Sequence, residues 1–222
     1  MRSVRASCAT CCPSAKPSVP ERFPFLSHLR AALHPLGAPP ADAPWNLAEL
    51  RDLLPEDLMP AAVLIGIVTH EEPTLIFTRR NEVMTHHAGQ ISFPGGRLEP
   101  DEGPIAAALR EAEEEIGLPP SAVTPLGFLD PYATITGFRV MPLVATVTPG
   151  QAYRLSPLEV AEVFETPLSV VLHPGAIEQR EREWRGRMRR YHVIPWEGRD
   201  IWGATAAMLV NLRERLGRAE AA

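Results

Sequence analysis

The chain has 222 residues, 45% of them hydrophobic, enough to bury a sizeable core without disulfide staples. That length fits one large domain, or a domain of about 150 to 180 residues with appendages. No apolar run approaches the roughly 18 residues that span a bilayer, which excludes a membrane-spanning helix. The net charge of −5 argues against a protein that wraps nucleic-acid backbones. Residues 1–22 carry +3 (Arg2, Arg5, Lys16 and Arg22 against Glu21), leaving −8 on the remainder, so an anionic substrate must be held by local arginines or by a metal.

Cys8, Cys11 and Cys12 all fall at the start of the chain, whereas a disulfide framework would spread them through the domain. A reduced, cytoplasmic setting is the expectation. The C-x2-C pair has no second pair to complete a zinc site, so residues 1–22, with Pro13, Pro17 and Pro20 among Ser and Thr, read as a loose tail. Residues 23–58 alternate short apolar stretches with prolines, and form an extension with helices expected over 25–33 and 47–54. The main domain is expected over 59–216, with a short tail at 217–222.

Within that domain, 61–69 is a continuous apolar, β-branched run that predicts a buried strand. The Glu71-Glu72-Pro73 turn leads to a second strand over 74–78, giving a hairpin. A polar loop around His86 and His87 precedes a short strand over 90–93, which Pro94-Gly95-Gly96 breaks. A helix is predicted over 104–116, because Pro104 suits a first helical position and Gly117 followed by Pro119-Pro120 is a stop. Further strands are expected over 126–129, 138–148, 162–166 and 191–194. The stretch 180–190, alternating Arg with Glu, reads as a solvated hairpin. A closing amphipathic helix is predicted over 202–216, with Ala206, Leu209 and 212–216 facing inward. Hairpins mixed with well-separated helices imply an α/β layered fold around a mixed sheet.

The helix over 104–116 is electrostatically unfavourable as it stands. Glu111, Glu114 and Glu115 sit at i, i+3 and i+4, on one face, and Glu113 adds a fourth carboxylate nearby. Like charges at those spacings cost a few tenths of a kcal/mol each, and they lie near the negative end of the helix dipole. Arg110 offsets part of this through an i+4 pair with Glu114. A solvated acidic face is one reading. The other is that a hard divalent cation, Mg²⁺ or Mn²⁺, supplies the missing charge through oxygen ligands.

The neighbourhood decides between them. From Gly96 the chain runs through five residues to Glu102, seven more to Arg110-Glu111-Ala112, one to Glu114-Glu115, and one to Gly117-Leu118. This spacing resembles the Nudix box, with Ala112 where a bulkier aliphatic is usual. The resemblance implies an α/β/α sandwich with the box as loop–helix–loop, and hydrolysis of a nucleoside diphosphate linked to another moiety. It implies Glu111, Glu114 and Glu115 as Mg²⁺ or Mn²⁺ ligands, and Glu111, Glu114 and Arg110 as the catalytic set, with Arg110 orienting the glutamates. Gly96 and Glu102 would shape the loop. A glutamate of the box, or a later one such as Glu159 or Glu162, would accept a proton from the attacking water.

Upstream, Thr78, Arg80, His87, Gly89, Gln90 and Phe93-Pro94-Gly95-Gly96 are similar to the signature of the coenzyme A pyrophosphatase subgroup. Ile76 and Phe77 replace its leucines, Asn81 its Ser/Ala, Met84 a leucine, and Thr85 stands where a second Arg is expected. Asp130-Pro131-Tyr132, Thr136-Gly137-Phe138 and the stretch 201–206 extend the similarity over about 60–216. It implies cleavage of coenzyme A and its thioesters to 3′,5′-ADP and (acyl-)4′-phosphopantetheine, with Arg80, His87, Gly95 and Gly96 contacting substrate. Tyr132 and Phe138 could stack an adenine, and the basic part of 180–190 could dock the 3′-phosphate, though core packing and a solvated hairpin explain them as well. The alternatives are a Nudix hydrolase of ADP-ribose, a dinucleotide or a nucleotide triphosphate, and a non-catalytic nucleotide sensor, whose carboxylates would normally be damaged. The partner expected is a small molecule, with neither nucleic acid nor membrane, and a monomer or homodimer.

Overall fold

The computed structural model describes residues 23–82, 88–184 and 186–220. Its elements in chain order begin with helices α1 (Phe25–Ala32) and α2 (Leu47–Leu50). Strands β1 (Met59–Val68), β2 (Thr74–Arg80), β3 (Ile91–Ser92) and β4 (Gly95–Arg97) lead into helix α3 (Pro104–Ile116). Strands β5 (Val123–Phe128), β6 (Tyr132–Ala133), β7 (Phe138–Val147) and β8 (Val160–Pro167) precede the short helix α4 (Leu168–Leu172). Strands β9 (Glu178–Trp184), β10 (Arg187–Trp196) and β11 (Arg199–Trp202) come last before helix α5 (Ala204–Glu220).

The main sheet is mixed. Its spine runs β3-β2-β1-β7-β5, with β4 beside β1, β6 beside β7 and β8 beside β2. β1 and β7 are parallel along their full lengths, from Met59 opposite Phe138 to Val68 opposite Val147, while the other pairings are antiparallel. The apolar run in β1 is continuous because both faces of this central strand are covered. On one face α3 buries Ala107, Ala108, Ala112 and Ile116 against Ala62, Leu64, Ile76 and Leu143. Three alanines at that contact, including the small Ala112 of the box, let the helix lie close to the sheet. On the other face Leu26 and Leu29 of α1 and Leu209 and Leu212 of α5 meet Ile65, Ile67, Phe77 and Val144. Each such buried Leu or Ile contributes about 1.5–3 kcal/mol of transfer free energy. The result is the expected α/β/α sandwich.

The predicted hairpin is present, with Ile67 opposite Leu75 and Val68 opposite Thr74. So is the helix over 104–116, which Gly103 and Pro104 start and which Gly117 ends in the left-handed region at φ 68°. Gly117 N–H returns to Glu113 O at 2.9 Å there, a closure in which a side chain would be strained.

Three expectations change. The helix over 47–54 shortens to Leu47–Leu50 and passes into turns, Leu53 N–H returning to Leu50 O at 2.8 Å ahead of Pro55, while Asn46 before it commits its side chain to β6, donating from Nδ2 to Ala133 O (2.8 Å) and accepting from Ala133 N–H (2.9 Å). The closing helix begins at Ala204, two residues later than expected, since Ile201 and Trp202 pair with Ile194 and Val193 of β10, and it runs to Glu220, through most of the tail expected over 217–222. The strand over 191–194 is the middle of a longer one, in a separate three-stranded sheet β11-β10-β9. The solvated hairpin expected over 180–190 is its β9–β10 part. Most of β9 is exposed, so it carries no alternating apolar signal.

The segment before β1 is laced to the domain. His34 bridges to Phe128, Trp45 N–H donates to Pro131 O at 3.0 Å, and Arg139 Nη2 holds the carbonyls of Pro40 and Asp42 at 3.0 Å. Among the described residues no helix is long and apolar enough to cross a membrane.

Candidate active site

The site forms where β4 runs into α3. β4 pairs with β1 (Val63 opposite Gly95, Ala62 opposite Gly96), and α3 crosses behind, so its last turns face the glycines. A β-carbon on Gly96 would overlap the Glu111 carboxylate. Only a glycine admits that side chain so close to the strand. Gly95 N–H in turn donates to Glu115 Oε2 at 3.3 Å.

Arg110 is the hub. Its Nε and Nη2 meet the two oxygens of Glu102, each at 3.0 Å, and Nη2 also donates to Arg97 O at 3.0 Å. Its Nη1 donates to both Glu111 Oε1 and Glu114 Oε2 at 3.0 Å. One guanidinium thus ties the loop before the helix to two carboxylates on it. Glu102 is fixed further by Glu99 N–H at 2.9 Å, and hydrogen bonding by Arg110 holds its carboxyl below the usual range.

Glu115 is of a different kind. It is 4% exposed, and burial pushes its carboxyl up to about 8. Arg80, whose Nη1 lies 3.8 Å from Glu115 Oε1, and the Gly95 N–H offset part of that rise, while the charges of Glu111 and Glu159 add to it. Glu111 is likewise raised, first by burial, with Arg110 opposing and Glu114 and Glu159 adding to it. Arg80 Nε is itself buried, with no hydrogen-bond partner among the described residues.

The structure therefore brings together Gly95, Gly96, Glu102, Arg110, Glu111, Glu114 and Glu115, with Arg80 on the near edge of β2. His87 lies outside the described residues, as do Cys8, Cys11 and Cys12. The two later carboxylates separate cleanly. Glu162 points away into a clasp, with Arg79 Nε at 3.0 Å and Arg199 Nη2 at 2.5 Å, and these partners hold it ionised. Glu159 is exposed and close enough to Glu111 and Glu115 to raise both. Sequence gave no way to choose between them. The deciding feature is a β-bulge between Arg79 and Arg80, where Arg79 faces Glu162 but Arg80 faces Val160. Of the aromatic candidates, Phe138 packs against the core with Arg97 over its ring at 5.2 Å, and Tyr132 packs against Trp45 at 5.9 Å.

Among the described residues no three His, Cys, Asp or Glu side chains converge as a ready metal cluster. The donor set nonetheless suits a hard cation. Glu115 is a buried and Glu111 a half-buried oxygen donor, both disfavoured as anions by burial, and Glu111 and Glu114 share one guanidinium nitrogen.

A NUDIX domain family model matches residues 58–185, more than half the chain. The chain is 43% identical over 158 residues, 71% of its length, to the uncharacterised Nudix hydrolase NudL of Escherichia coli K12, covering 82% of that protein. The NudL of Shigella boydii serotype 18 matches to the same extent. Among solved structures, a MutT protein from Methanosarcina mazei aligns over 75% of this chain and 96% of its own at TM-score 0.46 and 20% identity. A MutT/nudix family protein from Enterococcus faecalis aligns over 78% and 70% at TM-score 0.47 and 16% identity. The chain belongs to the Nudix hydrolase family.

Proposed function

We propose that this Nudix hydrolase cleaves the pyrophosphate of coenzyme A and its thioesters, releasing 3′,5′-ADP and 4′-phosphopantetheine or its acyl derivative. The observation that carries the reading is the run from Thr78 to Gly96. Arg80, Gly89, Gln90 and Phe93-Pro94-Gly95-Gly96 stand in the order of the coenzyme A pyrophosphatase signature and lead directly into the box. The structure supports it by setting Arg80, whose Nε has no partner among the described residues, beside Glu115 at the same site.

Glu111, Glu114 and Glu115 would hold Mg²⁺ or Mn²⁺. The bound cation supplies neutralisation of the diphosphate's charge and a more acidic water. Arg110 spaces Glu111 and Glu114 and anchors them to Glu102, so that their oxygens need little rearrangement on binding. Arg80 offers a guanidinium to a phosphate oxygen beside the close backbone of Gly95 and Gly96, and His87 is the further substrate contact that the signature implies. Glu159 accepts the proton of the water that attacks phosphorus. The new P–O bond forms as the anhydride P–O bond breaks, and the departing phosphate carries away the electron pair.

The test is turnover of coenzyme A with excess Mg²⁺, with and without EDTA, products resolved by chromatography. Metal-dependent release of 3′,5′-ADP is expected. If ADP-ribose or a nucleotide triphosphate is cleaved far faster than coenzyme A, the substrate is wrong and the Nudix chemistry stands. Silence on every diphosphate overturns the enzymatic reading.

A further inference from the structure

We infer that Asn81 is the positioning residue for Glu159, holding the loop that carries this carboxylate against the glutamates of α3. The inference rests on the reading of Glu159 as proton acceptor.

Glu159 closes the loop between β7 and β8, whose last turn is internally bonded (Glu159 N–H to Ser156 O at 3.1 Å, Val160 N–H to Ser156 O at 2.9 Å) but needs outside contacts to be placed against the sheet. Its far side is tied to the end of α3, where Arg154 N–H donates to Ile116 O and Ser156 N–H to Glu115 O, both at 2.8 Å. Its near side is tied to the residue after β2. Asn81 N–H donates to Glu159 O at 2.8 Å, and Asn81 Nδ2 donates to Pro157 O at 2.8 Å. One residue thus grips the loop at two carbonyls, on either side of Leu158. The side chain adds to the backbone tie a contact at Pro157, a residue with no N–H of its own to pair onto a strand.

The bulge makes this grip possible. With Arg79 opposite Glu162 and Arg80 opposite Val160, Ala161 has no partner on β2, and β8 shifts so that Glu159 reaches the level of Asn81. The clasp of Arg79 and Arg199 on Glu162 fixes the register on one side of the bulge; Asn81 fixes it on the other. Asn81 stands where the coenzyme A signature has Ser or Ala. Neither of those side chains carries an amide donor at the reach of Asn Nδ2. The contact is therefore a property of this chain rather than of the signature.

The experiment is a double-mutant cycle in the full-length, Mg²⁺-loaded enzyme, using Asn81→Ala, Glu159→Gln and the pair, with coenzyme A as substrate. Asn81→Ala is expected to lower kcat about three- to tenfold with KM within about twofold, the scale of one lost hydrogen bond acting on alignment. In the Glu159→Gln background the same change is expected to have no further effect on kcat, because there is no longer a base to align. Asn81→Asp, which keeps the backbone contact and removes the amide donor, should behave like Asn81→Ala. The inference fails if Asn81→Ala lowers kcat equally in both backgrounds, or if it leaves kcat unchanged while Glu159→Gln lowers it strongly. If Glu159→Gln itself costs little, the proton-acceptor reading is overturned, and the positioning inference with it.

Discussion

Arg110 and Glu102 meet in a two-pronged contact, Nε and Nη2 each 3.0 Å from one carboxylate oxygen, eight residues apart and on opposite sides of the start of α3. This fork fixes the plane of the guanidinium, which leaves Nη1 as the nitrogen presented to Glu111 and Glu114. Lysine carries the charge without the fork. Arg110→Lys is expected to lower kcat about 10- to 100-fold and to weaken Mn²⁺ binding, while the folded domain survives. Steady-state kinetics with a Mn²⁺ titration followed by paramagnetic resonance checks it. Wild-type kcat in Arg110→Lys would show that the charge alone suffices.

Gly96 and Glu111 give a steric prediction. A methyl on Gly96 overlaps the Glu111 carboxylate, which is itself tethered to Arg110, so the side chain has to leave its place rather than bend slightly. Gly96→Ala is expected to lower kcat by about 100-fold, the scale of a misplacement near one ångström. A melting temperature close to wild type would locate the loss in the site rather than the fold.

Much of this was legible in the sequence because it rests on local rules. Pro104 and Gly117 bracket α3, the β-branched run marks β1, and the carboxylate spacing puts Glu111, Glu114 and Glu115 on one helix face. What was not legible depends on register and on long-range partners. Glu159 and Glu162 are three residues apart in similar surroundings, and only the bulge opposite Arg79 and Arg80 sends one to the site and the other to the arginine clasp. β9 was legible only as one arm of a solvated hairpin, with no periodic signal because most of its residues are polar and exposed, and β6 escaped because two residues are too few to show a period. Asn46 gave no sign that it would cap nothing on α2 and bind Ala133 instead.

Glu115 makes the metal-free protein sensitive to pH. Its folded-state pKa of about 8 lies above the unfolded value of 4.5, so the native state holds a proton that the unfolded chain gives up. The sign follows: stability from this group is full below about pH 4.5 and is lost as pH rises toward 8. In EDTA, the melting temperature is expected to fall by about 5 °C or more between pH 5.5 and 8, and the fall to be much reduced in Glu115→Gln. Excess Mg²⁺ should restore the wild type at pH 8 and leave the variant unmoved. Parallel pH curves for wild type and Glu115→Gln in EDTA would refute the assignment.

Asp130 gives the opposite sign at a place remote from the chemistry. Its Oδ1 meets His34 Nε2 at 2.7 Å and Arg215 Nη1 at 2.8 Å, and its Oδ2 accepts from Asn211 Nδ2 at 2.9 Å. Arg215 also donates from Nε to Ala32 O at 2.6 Å, so the ends of α1 and α5 are joined through one carboxylate on the loop after β5. Burial alone would raise this carboxyl. The contacts of His34 and Asn211 and the charge of Arg215 outweigh it, and the net displacement is downward. The stability contributed is therefore present above pH 3.8 and disappears as pH falls through the lower folded-state value. Asp130→Ala removes the acceptor shared by three partners and leaves a half-buried Arg215 without its anion, at a cost of about 2–4 kcal/mol. Urea unfolding at pH 7 measures the loss directly, and at pH 3 the difference from wild type should shrink. Because the cluster touches none of Arg110, Glu111, Glu114 or Glu115, kcat below the unfolding transition should stay within about twofold of wild type. A large loss of kcat in a fully folded Asp130→Ala protein would mean that the two chain ends are coupled to the site.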